Sequence, residues 1–194
     1  KTGVELQSET AGALASKETK QKLHPNEPYW SAGQTLQAAI GQGDNEFSPL
    51  QMARYISILA NGGRKIDVSI VKTIRNADGS EASREEINKF VSKKLGLEED
   101  NAENLEINQN YLNSILQGMK SVTSDTGGTA CVRFKDFNIS VGGKTGSAEA
   151  PNNQVHAWFV GFAPFENPEI AIVVMVENGG HGNYTAEVVR DIMA

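Results

Sequence analysis

Residues 141–148 bring one cation, two hydroxyls and three glycines into eight consecutive positions, V-G-G-K-T-G-S-A. The side chains that could do chemistry are Lys144, Thr145 and Ser147, with Gly146 between the two hydroxyls. On a strand, Thr145 and Ser147 point to the same side, and a glycine inside a strand marks the close approach of a ligand or another backbone. An ammonium and two hydroxyls beside bare backbone predict a site for an extended substrate that carries a carboxylate.

Two other interpretations of residues 141–148 have to be considered. A lone K-T-G is compatible with an ordinary strand that carries a surface lysine. A phosphate-binding loop needs G-x-x-x-x-G-K-[ST] between a strand and a helix. Here Asn138 stands at the position of the first glycine, and residues 156–162, H-A-W-F-V-G-F, predict a second strand after a polar turn. The phosphate-loop interpretation is therefore excluded, and residues 141–148 are predicted to form one strand of a hairpin.

Composition limits the remaining classes of function. The chain has 194 residues, of which 39% are hydrophobic, which predicts one globular domain with a core. A net charge of −6 without a basic block argues against a nucleic-acid-binding protein. The single cysteine, Cys131, and three histidines without ligand spacing predict neither an internal disulfide nor a metal site. The absence of an apolar run of about 18 residues predicts that no segment of this sequence spans a membrane.

Four helices are predicted from their capping and periodicity. Ser48 caps a helix that Asn61 ends, Ser83 opens a capping box before a helix ended by Gly96, and two further helices cover about 108–122 and 184–193. Their predicted inward side chains are Met52, Ile56 and Leu59; Ile87, Phe90 and Val91; Tyr111, Leu112, Ile115, Leu116, Met119 and Val122; and Ala186, Val189 and Met193.

The strands are predicted from alternation and β-branching. Residues 66–74 predict a strand followed by an N-A-D-G turn, and residues 138–148, 155–163 and 170–177 predict a meander of three strands. The last of these is apolar on both faces and is therefore predicted to be a central strand covered on both sides. Residues 97–104 predict a solvated connection. The predicted fold class is α+β, an antiparallel sheet with flanking helices.

Several motifs, in this order along the chain, resemble the transpeptidase domains of penicillin-binding proteins. They are T-G-V-E-L with Glu9 at 2–9, G-Q-G at 41–43, S-P-L-Q at 48–51, A-N-G-G at 60–63, G-G-T-A at 127–130, G-K-T-G-S at 143–147, H-A-W-F-V-G-F-A-P at 156–164 and G-H-G at 180–182. The resemblance covers nearly the whole chain, and the spacing of the G-Q-G to A-N-G-G block resembles the elongation-type, PBP2-like branch of class B. It implies the penicillin-binding and serine β-lactamase-like transpeptidase fold.

The resemblance also implies a mechanism. The family divides its chemistry among the motifs S-x-x-K, S-x-N and K-T-G, and its serine attacks a D-Ala-D-Ala peptide or a β-lactam to form an acyl-enzyme without a cofactor or metal. In this sequence Lys144 would supply positive potential, and the hydroxyls of Thr145 and Ser147, with Gly146 between them, would bind the substrate carboxylate. The N–H of Ser147 would be one of two donors to the oxyanion.

The first two motifs lack convincing counterparts. Residues 69–72 spell S-x-x-K, but on a strand Ser69 and Lys72 would point to opposite faces. Residues 111–113 spell Y-x-N, but Tyr111 belongs to the apolar stripe of a predicted helix. The expectation is that both motifs lie upstream of Lys1. Residues 1–194 would then be the C-terminal part of a transpeptidase domain, inactive alone, with part of its apolar sheet face uncovered.

The resemblance implies partners and a compartment. The partners are peptidoglycan stem peptides, β-lactam antibiotics, the upstream part of the same domain and a glycosyltransferase of the elongation machinery, with no nucleic acid. The compartment is the extracytoplasmic face of the bacterial cell membrane. Three alternatives stay open: a β-lactam sensor, a non-catalytic cell-wall scaffold, and a β-lactamase or carboxypeptidase, which the G-Q-G block disfavours.

Five other side chains receive structural interpretations. Trp158 and Phe159 are predicted to be core or cleft wall, and His156 and His181 to be structural and turn residues. Gln42, between two glycines, is predicted to bond its own loop rather than the site.

Overall fold

A computed structural model describes residues 1–96 and 104–194 of the chain. Six α-helices and a three-stranded sheet lie in these ranges. The predicted connection at 97–104 lies, except for Asn104, outside the described residues. The elements are α1 (Lys17–Leu23), α2 (Ala32–Ala39), α3 (Pro49–Ala60), α4 (Arg84–Leu95), α5 (Gln109–Ser124), β1 (Gly142–Ala150), β2 (Gln154–Ala163), β3 (Ile170–Val176) and α6 (Asn183–Met193).

The sheet is an antiparallel meander in the order β1-β2-β3, which confirms the predicted α+β class. Thr145 lies opposite Phe159, and a single 3-10 turn at Pro151–Asn153 joins β1 to β2. The prediction that 170–177 is central was wrong for the described sheet, because β2 is in the middle and β3 is at an edge. β3 is apolar on both sides because helices cover both faces of the sheet.

Two apolar clusters fill the two faces of the sheet. The cluster on the α6 face consists of Ala130, Phe134, Val141, Phe159, Ala163, Ala186 and Val189. The cluster on the face covered by α3 and α5 consists of Ile56, Leu59, Leu112, Met119, Val160 and Phe162. Residues of β3 alternate between them, Ile172 and Val174 toward the first and Ala171 and Val173 toward the second. The sheet is therefore held between helices, with β1 and its K-T-G motif at one edge.

The predicted caps are confirmed. Ser48 Oγ accepts from the N–H of Gln51 at 3.2 Å and Ser83 Oγ from that of Glu86 at 3.2 Å, each in a complete capping box. Gly96 ends α4 in the left-handed conformation, φ 63°. These local bonds satisfy backbone donors that the first turn of a helix leaves free.

Three predicted inward side chains are instead exposed: Phe90 (60%), Tyr111 (72%) and Ile115 (50%). On α4 the buried stripe is limited to Ile87 and Val91, one turn apart, so Phe90 lies beside the contact rather than in it. On α5 the buried stripe is narrower than the apolar sequence pattern.

The predicted strand at 66–74 was wrong, because this segment is irregular. Side chains take the place of a neighbouring strand: the Arg84 guanidinium donates to the carbonyls of Val71 (2.7 Å) and Lys72 (3.2 Å), and Glu5 accepts from the N–H of Ile70 (2.8 Å). Partial burial raises the pKa of the Glu5 carboxyl, but the hydrogen bonds donated to it by the Ser69 hydroxyl and the Ile70 N–H outweigh burial and hold the pKa below its ordinary value. The following turn at 76–79 is confirmed by the bond from the Gly79 N–H to the Asn76 carbonyl.

Candidate active site at the edge of the sheet

β1 presents two backbone carbonyls on the side away from β2. The Thr145 carbonyl accepts from Lys144 Nζ at 2.6 Å, and the Ser147 carbonyl accepts from Gln42 Nε2 at 3.1 Å. In an antiparallel strand the N–H and C=O of one residue point to the same side, and consecutive residues alternate. The N–H groups of Thr145 and Ser147 therefore also face away from β2, along the free edge of β1 in the described sheet.

The two hydroxyls of the motif are each held by a neighbour. Thr145 Oγ1 lies 2.8 Å from Thr129 Oγ1, and Ser147 Oγ accepts from the backbone N–H of Gly182 at 3.2 Å. A hydroxyl has one proton and two lone pairs, so the Ser147 hydroxyl keeps its proton for a further acceptor. Lys144 and Ser147 are exposed, and Thr145 is half-buried. The strand thus gathers the ammonium, the two hydroxyls and outward N–H groups within four residues.

Backbone from a distant part of the chain packs directly on this strand. A Cβ atom on Gly182 would lie 2.2 Å from the Gly146 carbonyl oxygen and 2.6 Å from that of Trp158. A Cβ atom on Gly146 would lie 3.2 Å from Trp158 Cβ. The close approach predicted at Gly146 is therefore made by the backbone that leads into α6.

The prediction for Gln42 was wrong, because its side chain bonds the site strand. Its Nε2 donates to the Ser147 carbonyl, while its own N–H and C=O are engaged within the turn by the Gln37 carbonyl (2.9 Å) and Asn45 Nδ2 (3.0 Å). The two glycines beside Gln42 indicated a turn, but no sequence signal indicated that its side chain reaches β1. Thr129 was likewise noticed only as part of a motif, and its hydroxyl contacts that of Thr145.

The other four residues singled out in the sequence make contacts within the fold. His156 Nδ1 accepts from the N–H of Asn178 at 3.1 Å, and the carbonyl of His181, in an exposed turn, accepts from the N–H of Tyr184 at 3.1 Å. Phe159 is fully buried in the cluster on the α6 face, as predicted. Trp158 is half-buried beside Gly146.

Ser69 and Lys72 do not form the one-turn helical pair of an S-x-x-K motif, because their segment is irregular. The Ser69 hydroxyl is bonded to Glu5 and accepts from Arg84 Nη1 at 3.0 Å. Among the described residues no three His, Cys, Asp or Glu side chains are grouped as a metal site requires. No helix in residues 1–96 or 104–194 is long and apolar enough to cross a membrane.

The family model for the penicillin-binding protein transpeptidase domain matches residues 1–194. Peptidoglycan D,D-transpeptidase MrdA of Haemophilus influenzae is 30% identical over 203 aligned residues, which cover 95% of this chain and 28% of that relative. The chain therefore spans less than a third of that curated relative's length.

Two solved structures share the fold. Pseudomonas aeruginosa PBP2 in complex with WCK 5153 has a TM-score of 0.75 and 33% identity, over 95% of this chain and 38% of that chain. Helicobacter pylori PBP2 in complex with MreC has a TM-score of 0.73 and 28% identity, over 99% of this chain and 32% of that chain. The family match, the sequence similarity to MrdA and the structural similarity to PBP2 agree with the motifs found along the chain. The chain therefore belongs to the penicillin-binding protein transpeptidase domain family, with similarity to PBP2.

Proposed function

We propose that this chain supplies the K-T-G strand of a peptidoglycan D,D-transpeptidase that cross-links stem peptides through an acyl-serine intermediate. The observation that carries the proposal is the orientation of Ser147, whose peptide groups face the free edge of β1 beside Lys144. The family match and the similarity to MrdA support the same activity.

Substrate binding follows from this edge. An extended peptide or a β-lactam lies along β1, where main-chain groups facing away from β2 accept a further strand-like ligand. Ser147 Oγ accepts from Gly182, and its proton is donated to the substrate carboxylate. The Thr145 hydroxyl also donates its proton to the substrate carboxylate when its oxygen accepts from the Thr129 hydroxyl. The Lys144 ammonium adds the positive charge that an anionic ligand needs.

Acylation uses the Ser147 N–H as an oxyanion donor. The nucleophilic serine of the S-x-x-K motif loses its proton to the lysine of that motif, and its oxygen bonds to the carbonyl carbon. Negative charge then develops on the carbonyl oxygen and is stabilised by the serine's own N–H and by that of Ser147. Loss of one such donor typically lowers the rate by about 10²–10³. The C–N bond breaks, and D-alanine leaves with the proton, or the lactam ring opens.

The second half-reaction transfers the acyl group. The amine of another stem peptide attacks the ester carbon, the serine oxygen leaves and is reprotonated, and a peptide cross-link results. Sensors and scaffolds of this superfamily lack that transfer. No metal or cofactor enters any of these steps.

The nucleophile is proposed to lie outside these 194 residues. This chain covers 28% of the length of the H. influenzae MrdA relative. The nucleophile would lie in the part of the polypeptide that corresponds to the unmatched remainder of that relative. The 194-residue chain alone is then the substrate-binding and oxyanion part of a domain. The parent protein would work at the extracytoplasmic face of the cell membrane.

Partners are proposed from the same similarity. The H. pylori relative was solved as a complex with MreC, and the P. aeruginosa relative with WCK 5153. For the parent of this chain we infer stem peptides, β-lactams, the upstream part of its own domain and a glycosyltransferase of the elongation machinery as partners.

The proposal is tested by intact mass spectrometry after incubation with a fluorescent penicillin. The full-length polypeptide is expected to gain the mass of one ring-opened penicillin, and the 194 residues alone are expected to gain none. An adduct on the isolated chain would overturn the assignment of the nucleophile. A full-length protein that is never acylated, or that is acylated but does not transfer a stem peptide to an amine acceptor, would overturn the proposed activity.

A further inference from the structure

We propose that Gln42 is a positioning residue for acyl transfer, because it fixes the Ser147 peptide at the free edge of β1 and so aims the Ser147 N–H at the reacting carbonyl. The inference rests on the proposed function, since it assigns Gln42 to the same oxyanion site. The contact joins residues 105 positions apart, from the turn after α2 to the middle of β1.

An edge strand needs such a bond because its outward peptide groups have no ladder partner. In the described sheet β2 pairs with only one side of β1. Gln42 Nε2 donates to the Ser147 carbonyl at 3.1 Å, as the N–H of a neighbouring strand would. The carbonyl has a second lone pair, so this bond does not close the edge to a substrate.

The turn that carries Gln42 is held by hydrogen bonds to its backbone. The flanking residues Gly41 and Gly43 have φ of 80° and 73°, a conformation that other residues rarely adopt. The N–H of Gln42 donates to the Gln37 carbonyl at 2.9 Å, and its C=O accepts from Asn45 Nδ2 at 3.0 Å. Gln42 is half-buried, so little of the bond's free energy is lost to ordering a mobile surface side chain.

Asn45 connects this turn to a further segment. Its Oδ1 accepts from the N–H of Ala15 at 2.9 Å while its Nδ2 holds the Gln42 carbonyl. The turn that carries Gln42 is thus tied down independently of β1. Movement of β1 relative to this turn has to break the Gln42 bond.

Ser147 is then held on both sides of its Cα atom. Gln42 orients the peptide that follows it, and the Gly182 N–H holds its side chain. The Gly146 carbonyl before it lies against Gly182, where a Cβ atom would be 2.2 Å away. With these contacts made, the direction of the Ser147 N–H is fixed before substrate binds. Such preorganisation is what an oxyanion donor requires.

The substitution Gln42→Met tests this role, since it keeps the length of the side chain and removes its donor. A misplacement of about 1 Å in a site can cost about 10²-fold in rate, so we expect a decrease of roughly 10- to 100-fold in the first-order rate constant of acylation. The dissociation constant of the non-covalent penicillin complex is expected to change less than about twofold, because the carboxylate contacts remain. Gln109→Met is the matched control, because Gln109 Nε2 donates to the Ile107 carbonyl at 3.2 Å on the exposed start of α5.

A second variant gives a readout that a merely structural role would not change. In Gln42→Glu the introduced carboxyl donates a hydrogen bond only when it is protonated, and its ordinary pKa is about 4.3. The ratio of its acylation rate constant to that of the wild type is therefore expected to rise as the pH falls from 7 toward about 4.3. Gln42→Met is expected to show no such rise.

The experiment measures acylation of the full-length polypeptide by a fluorescent penicillin over a range of concentrations, which separates binding from the acylation step. The thermal unfolding midpoint of each variant is measured as well. A lower acylation rate constant with unchanged binding in Gln42→Met, and the pH-dependent recovery of Gln42→Glu, would support the inference. Acylation of Gln42→Met at the wild-type rate or faster, or an equal loss in Gln109→Met, would overturn it. Failure of the wild type to be acylated would instead overturn the proposed function, so the two failures are distinguishable.

Discussion

The backbone N–H of Gly182 donates to Ser147 Oγ at 3.2 Å and thereby joins the start of α6 to the K-T-G strand. Gly182 has an ordinary helical conformation, φ −61° and ψ −13°, so no conformational reason requires glycine there. Glycine is required there by lack of space, because a Cβ atom on residue 182 would lie 2.2 Å from the Gly146 carbonyl oxygen. The glycine lets backbone contact backbone at the point where the site strand needs support.

Gly182→Ala is expected to destabilise the protein by about 1–3 kcal/mol, as overpacking does, and to lower the acylation rate by displacing Ser147. The measurement is the urea midpoint together with the acylation rate of the full-length polypeptide. Gly118→Ala in the interior of α5 is the control, since a Cβ atom there meets nothing within 4 Å and alanine gains up to about 1 kcal/mol in a helix. Equal stability of the two variants would contradict the packing argument.

The direction of the Ser147 N–H is tested by proline. Ser147→Pro removes an N–H that faces away from β2, so it costs no ladder bond, and edge strands tolerate proline at such positions. We expect acylation about 10²–10³ slower than in Ser147→Ala, which loses the hydroxyl but keeps the N–H.

Ala148→Pro is the matched comparison for the fold. Ala148 lies opposite His156, and its N–H faces β2 by the alternation along the strand. Removing this ladder bond is expected to cost roughly 1–3 kcal/mol. If Ser147→Pro lowered the unfolding midpoint as much as Ala148→Pro does, the orientation assigned to Ser147 would be wrong.

Most elements of the fold were predictable from local sequence patterns. The caps at Ser48 and Ser83 were predictable because each bonds a residue three positions away, and the hairpin of β1 and β2 because its turn is short. The strand predicted at 66–74 failed, since alternation says nothing of whether a neighbouring strand exists, and Arg84 serves that segment instead.

The contacts that hold the site strand in place were not predictable in the same way. Lys144, Thr145 and Ser147 were found because they are adjacent in sequence, whereas Gln42 bonds Ser147 across 105 residues. Nothing in the spacing of a single sequence encodes such a contact. The glycines beside Gln42 indicated a turn but not what the turn faces.

A second packing contact lies under the start of β1. A Cβ atom on Gly143 would lie 2.3 Å from Cζ of Phe159, which is fully buried. Gly143→Ala is therefore expected to destabilise by about 1–3 kcal/mol. Phe159→Leu removes the ring that causes the clash, so the double variant is expected to be more stable than the sum of the two losses, by about 0.5–3 kcal/mol. Additive losses in a urea-unfolding cycle would show that the ring does not limit this position.

The turn between β2 and β3 carries a carboxylate that responds to acid. The Ser140 hydroxyl and Lys120 Nζ, at 2.9 Å, bond Glu166 and hold the pKa of its carboxyl at about 2 instead of 4.5. Because the folded-state pKa is the lower one, the contact stabilises the folded state fully above pH 4.5, and that contribution is lost as the pH falls toward 2. Glu166→Gln is expected to remove this dependence.

The measurement is the difference in unfolding midpoint between the wild type and Glu166→Gln from pH 7 to pH 2. The difference is expected to be constant down to about pH 4.5 and to shrink below it, and to be smaller at high salt because the pair is exposed. Glu169→Gln removes the same charge from the end of the same connection and is the control for the loss of a carboxylate there. A difference that grew on acidification, or that appeared equally in the control, would show that the bonds to Ser140 and Lys120 do not stabilise the turn.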